Sequence, residues 1–422
     1  VRTRTLTLPL LASGALLALA ACSSPGAPAA SDAAASDAAA PPAGDAYGWT
    51  EGAAEMQEAQ LRLVALGADG ALTALDPATE ETVPLASLPG STAIGTTALS
   101  TTALSTDGRY VFAAQDGALT IVDGGAWTVP HGDHSHYYLA EPRTIGTIDG
   151  GGGLAVVHSS ASLTAAFFPG SGTGVVLDGE ALADGELREL ARVEGSPHDG
   201  ALVPLGDRLI GSTATGSVAV LASDGEATGT TAACAGTSGA AVTRVGVVFG
   251  CADGAVLATE TEPATESDAG VAFEHIPYPE GTAAEDVATA FSGRPGRPAV
   301  AAVAGEQGAW LLDTRARSWT LLPSPEPLLA ASAVSDSDGT VVGIDRGGRV
   351  VVLKPDGVAT TEPLLDVADG RLPDGVTLEV DVARAYVNAP SAGLVHEIDY
   401  DDDARVARSL ALDARLLVET GR

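Results

Sequence analysis

The sequence has 422 residues, with 22 Lys or Arg against 55 Asp or Glu and a formal net charge of −33. So acidic a chain repels phosphate backbones and anionic lipids, which excludes nucleic acid as a partner. Its length is large for one ordinary domain, yet repeat architectures routinely reach it.

Arg2 and Arg4 form a short positive region, followed by an apolar stretch over residues 6–21 that Pro9 and Gly14 interrupt. That stretch is too short and too broken to span a bilayer, so residues 1–21 read as a signal peptide. It ends in Leu19-Ala20-Ala21-Cys22, the lipobox pattern, in which small residues admit the peptidase and the cysteine thiol carries the lipid. Cys22 is therefore the expected anchor. It places the mature protein in the cell envelope, on the outer face of the cytoplasmic membrane. Residues 22–56 follow as a tether, rich in Ala, Pro and Ser for most of their length, with too little apolar surface to offset the entropy of ordering. Helical content is confined to residues 53–63, just ahead of the body.

The body, residues 57–422, repeats one pattern: an alternating apolar run, a tight polar turn, and a second run. Residues 61–66 and 71–75 form the first pair, and 110–114 and 118–122 the second. The third comprises 154–157, 163–168 and 174–177. Next come 207–212 with 217–221, 245–249 with 255–259, 299–303 with 309–312, 341–344 with 349–353, and 384–387 with 394–398. Asp116-Gly117 and Asp253-Gly254 suit such turns, because a tight hairpin needs positive φ, which glycine adopts freely. Eight units at roughly 45 residues each match the spacing of four-stranded propeller blades. The expected fold is all-β, a single β-propeller of eight blades. Seven blades with one hairpin outside the ring is the alternative.

Of three cysteines, Cys22 is the anchor. Cys234 and Cys251 remain in an oxidising compartment, where a pair is normally bridged. They flank a strand pair that includes residues 242–249. A structural disulfide contributing roughly 2–4 kcal/mol is expected, with a two-thiol metal site as the alternative.

Three of the seven histidines fall within six residues, His131-Gly132-Asp133-His134-Ser135-His136, in a loop after the second hairpin. Imidazole is the commonest transition-metal ligand, and a carboxylate either completes the shell or orients a ligating ring. His158, at the end of an apolar strand, and His198, in Pro197-His198-Asp199-Gly200, are the remote candidates. His275 and His396 sit inside strand patterns and read as structural. A His-dominated set with one carboxylate suits zinc best.

These residues, with Glu141-Pro142 after them, resemble the motif of AztD-type zinc metallochaperones. The likeness continues through Val157-His158, Pro197-His198-Asp199-Gly200, Gly250-Cys251-Ala252-Asp253-Gly254, His275-Ile276-Pro277-Tyr278, Val395-His396-Glu397-Ile398 and Glu419-Thr420-Gly421-Arg422. The resemblance implies a propeller of the bacterial envelope that passes zinc to the solute-binding protein of a zinc ABC importer. The chain departs from the family pattern in three places: the loop over residues 234–239 and the tether both lack histidine, and the family's paired histidine in the fourth-blade turn stands here as His198-Asp199.

The expected function is therefore that of a membrane-anchored, monomeric zinc carrier, not an enzyme. Zinc is its cargo, and the candidate ligands are His131, Asp133, His134, His136, His158 and His198. Imidazole binds metal only as the neutral base, so affinity should fall below about pH 6. The alternatives are a protein-interaction propeller whose metal site has decayed, and a metal-dependent propeller hydrolase or lactonase.

Overall fold

A computed structural model describes residues 47–88, 102–263 and 269–422. The expected signal peptide, Cys22 and most of the expected tether lie outside the described residues. Among those described, the strands form eight four-stranded antiparallel sheets and one three-stranded sheet. The fold is a β-propeller, and its eight four-stranded sheets are the eight blades.

Blade one shows how the ring closes. Leu416–Thr420 pairs with Arg62–Leu66, placing Val418 opposite Val64, and the sheet continues through Ala71–Leu75 to Thr82–Ser87. The last strand and the first strands thus share one sheet, so hydrogen bonds within a single blade hold the end of the ring to its beginning. Blades three to eight each use four consecutive strands. The first strand of each blade lies nearest the ring centre. There, segments around Leu104, His158, Ala241, Ser292, Glu379 and Val418 line a central cavity of about 450 Å³.

Packing between neighbouring blades supplies the core. Between blades four and five, Val203, Ile210, Val220, Phe249 and Val256 are all buried in one cluster. Side chains of this size contribute roughly 1.5–3 kcal/mol each on full burial. The two middle strands of a blade pack on both faces, as in the fully buried Leu163–Phe168. Outer strands are half wet, as in Ala227–Ala233, where exposure alternates residue by residue.

Blade two departs from the regular order. Its sheet runs Thr102–Thr106, Tyr110–Gln115, Ala118–Asp123 and then Arg143–Asp149, with the chain leaving between the third and fourth strands. That excursion is a hairpin, Ala126–His131 with His134–Leu139, and it pairs with Ala54–Met56 in the separate three-stranded sheet. Two sequence expectations change here. The histidine segment is a regular hairpin rather than an open loop. Residues 53–63 are not helical: Ala54–Met56 is a strand, held by backbone pairing to a segment far away in sequence.

Blade three carries a short α-helix, Gly179–Asp184, that the sequence pattern does not announce. Asp178 caps it, its Oδ1 accepting from the backbone N–H of Glu180 at 2.9 Å and Ala181 at 3.1 Å. Six residues are too few for helical periodicity to stand out.

Cys234 and Cys251 form a disulfide with Cα atoms 5.0 Å apart. Cys234 follows the outer strand of blade four, and Cys251 ends a middle strand of blade five. The bond therefore staples two blades together, where the sequence pattern suggests closure across one strand pair. Replacing both cysteines with serine should lower stability by about 3 kcal/mol, as expected for a loop of this length. Urea denaturation with and without reductant measures this. Equal midpoints would mean that the blade interface holds without the bond.

Candidate metal centre

The histidine cluster follows from hairpin geometry. His131 ends one strand, His134 begins the next, and the two are cross-strand partners; Val129 faces His136 in the same register. Cross-strand partners share a face, as do residues two apart on one strand. His131, His134 and His136 must therefore project from one side of the hairpin. The turn between them is Gly132-Asp133, with Gly132 at φ 62°, the glycine-first pattern of a type II′ turn.

One ligand nitrogen from each of the three rings lies within 4.8 Å of the others. His131 Nδ1 and His136 Nε2 are 3.3 Å apart. With Zn–N bonds of about 2.0–2.1 Å, tetrahedral geometry separates ligand nitrogens by about 3.3–3.4 Å. One pair already stands at that separation, and the third ring's ligand atom lies within 4.8 Å of both. His131 and His134 are exposed and His136 half-buried, so the set faces solvent.

Carboxylates flank the cluster on two sides. Asp133 Oδ1 is 3.1 Å from His134 Nδ1, with the aspartate side chain wholly in solvent. Glu55 Oε1 is 2.7 Å from His136 Nδ1. That contact leaves His136 Nε2, the nitrogen that faces His131, as the ligating atom. The ring of Tyr47 stacks on His131 with centroids 4.5 Å apart and planes 13° from parallel.

The root of the hairpin is fixed to the ring. Arg109 binds the buried Asp123 at 2.7 Å, and its guanidinium lies 3.8 Å from the ring centre of Trp127. Thr128 Oγ1 donates to the carbonyl of Gly421 at 2.8 Å. An exposed cluster is thus mounted on a rigid base.

The remaining candidates lie elsewhere. His158 is on the innermost strand of blade three, lining the central cavity; its Nε2 has no hydrogen-bond partner, and burial pushes its pKa down to about 4. His198 has both ring nitrogens engaged, Nδ1 by the Ser196 carbonyl at 2.8 Å and Nε2 by Ser212 Oγ at 2.9 Å. It holds the turn that leads into blade four. His275 sits 3.2 Å from Asp253, and the buried His396 bonds Ser409 Oγ at 2.8 Å. Among the described residues, the three hairpin histidines are the group whose geometry fits a metal.

Glu55 and Tyr47 are absent from the sequence-derived set, since nothing local to them signals a metal. The shared face of the three histidines, by contrast, is readable from spacing. A His-Gly-Asp-His-Ser-His run with a two-residue turn places its first, fourth and sixth residues on one side.

No family model matches the sequence, and no curated protein does. Among solved structures, the crystal structure of AztD from Citrobacter koseri matches with a TM-score of 0.70, covering 86 % of this chain and 98 % of that one at 17 % identity. The structure of apo AztD from the same organism gives 0.69 over the same shares at 16 % identity. At such identity the likeness is one of architecture, and the chain has the propeller fold of AztD.

Proposed function

We propose that this protein is a zinc carrier of the cell envelope, tethered through Cys22, that hands zinc to the solute-binding protein of an ABC importer. The observation that supports this most directly is the convergence of His131, His134 and His136 on one exposed hairpin face. Three imidazoles make a site that binds zinc and keeps one position open to water or an incoming ligand. Solvent exposure then matters for exchange. A partner's ligand can enter at the open position and displace the imidazoles one at a time, so zinc need never be free.

The fold shared with AztD, and the motifs that resemble the zinc metallochaperones, favour delivery over storage. The test mixes the zinc-loaded protein with an apo solute-binding protein of a zinc importer, in the presence of a chelator that traps free zinc. Transfer faster than spontaneous release to the chelator is expected. Transfer no faster than that release would refute delivery and leave a zinc-binding propeller.

A further inference from the structure

Residues 47–56 lie outside the blades and meet the metal hairpin through polar, aromatic and backbone contacts. Ala54–Met56 pairs with the second hairpin strand, Glu55 standing opposite Tyr138. The carbonyl of Tyr47 accepts from Tyr138 Oη at 2.8 Å, and that of Gly48 from Trp127 Nε1 at 3.0 Å. Gly48 lies so close that a Cβ there would be 2.5 Å from Val129 Cγ2. Yet none of these ten residues is buried. A three-residue strand with no buried apolar side chain has little intrinsic hold on the fold.

Two of the strap's side chains reach the histidines, Glu55 on His136 Nδ1 and Tyr47 flat against His131. We propose that residues 47–56 form a strap belonging to the metal site: Glu55 and Tyr47 are positioning residues, and metal binding and strap docking stabilise each other. This rests on the reading of the hairpin as a zinc site. Accepting the Nδ1–H of His136, Glu55 fixes the tautomer, aims Nε2 at the metal and makes it a stronger base. The stacked Tyr47 limits rotation of His131. Linkage makes the effect reciprocal. Zinc, by fixing the two rings, gives the strap a rigid seat. Any surface that takes the strap's place on the second hairpin strand loosens the zinc as it docks, which is a route to release.

The experiment pairs zinc competition titration with hydrogen exchange at residues 47–56, using the full chain and its Glu55→Ala and Glu55→Gln variants. In the unaltered protein zinc should slow exchange over 47–56. Glu55→Ala should weaken zinc binding by about 10–100-fold and remove most of that added protection. Glu55→Gln should fall between, because its amide oxygen still accepts from His136. Tight zinc binding that leaves exchange at 47–56 unchanged and is indifferent to Glu55→Ala would overturn the strap proposal while the hairpin site stands. If the unaltered chain binds no zinc, both readings fall together.

Discussion

Changing His131, His134 and His136 together to alanine is expected to abolish tight zinc binding, while the metal-free protein unfolds at nearly the same denaturant concentration. All three project from a hairpin outside the blades, His131 and His134 exposed and His136 half-buried, and surface substitutions usually shift stability by no more than about 0.5 kcal/mol. Each single replacement should weaken zinc by more than the roughly 10–100-fold typical of losing an outer-shell partner. His136→Ala should be the most damaging, because its ring contacts both His131 and Glu55. His198→Ala is the informative control. It strips partners from the Ser196 carbonyl and Ser212, so it should cost about 1–2 kcal/mol of stability and leave zinc affinity unchanged. A single tight equivalent of zinc retained by the triple variant would remove the hairpin from consideration.

How much of this was legible in the sequence depends on how local the cause was. The middle strands of the blades were, because Tyr110–Gln115 and Ala118–Asp123 are buried apolar runs separated by a turn whose residue types are dictated by backbone geometry. The outer strands were not. Ala227–Ala233 is built of Ala, Thr and Gly, half its faces are wet, and its register comes from the neighbouring strand rather than its own pattern. The expected helix over residues 53–63 failed for the same reason. Ala and Glu are good helix formers, but propensity is a weak prior against tertiary context, and pairing of Ala54–Met56 with the hairpin overrides it.

The site divides in the same way. Three histidines around a two-residue turn carry their geometry in their spacing. Glu55 meets His136 across 81 residues of sequence, a contact set entirely by how the chain returns on itself. His158 and His198 stand apart from the hairpin, His198 in a hydrogen-bonded turn and His158 lining the central cavity with Nε2 unpartnered. An imidazole in an unusual sequence context can be occupied by a hydrogen-bonded turn or enclosed against the ring centre. Only the positions of its two nitrogens tell a ligand from a structural residue.

Glu419→Gln should stabilise the protein, and by an amount that grows with pH. Glu419 lies on the strand that closes the ring and is fully buried, with Oε2 2.9 Å from Arg422 and Oε1 unpartnered. Arg422 is shared, since it also bonds Glu379 at 3.1 Å. Burial dominates, and with the Asp381 and Glu379 carboxylates nearby it outweighs the attraction of Arg422, so the pKa of Glu419 rises to about 8. Between about pH 4.5, where an unfolded glutamate loses its proton, and pH 8, the folded state therefore holds a proton that the unfolded state has released. Stability must fall as pH climbs through that window and level off above it. Glutamine keeps the shape of the protonated acid and cannot ionise. The variant should match the parent near pH 4.5 and exceed it by up to roughly 4 kcal/mol at pH 8.5, since each pH unit across the window is worth about 1.4 kcal/mol. Urea denaturation of both proteins at pH 4.5, 6.5 and 8.5 measures the difference directly. A gap of constant size would mean that the substitution acts by packing alone. A gap that widens with pH identifies Glu419 as a buried proton-holder at the seam where the propeller closes.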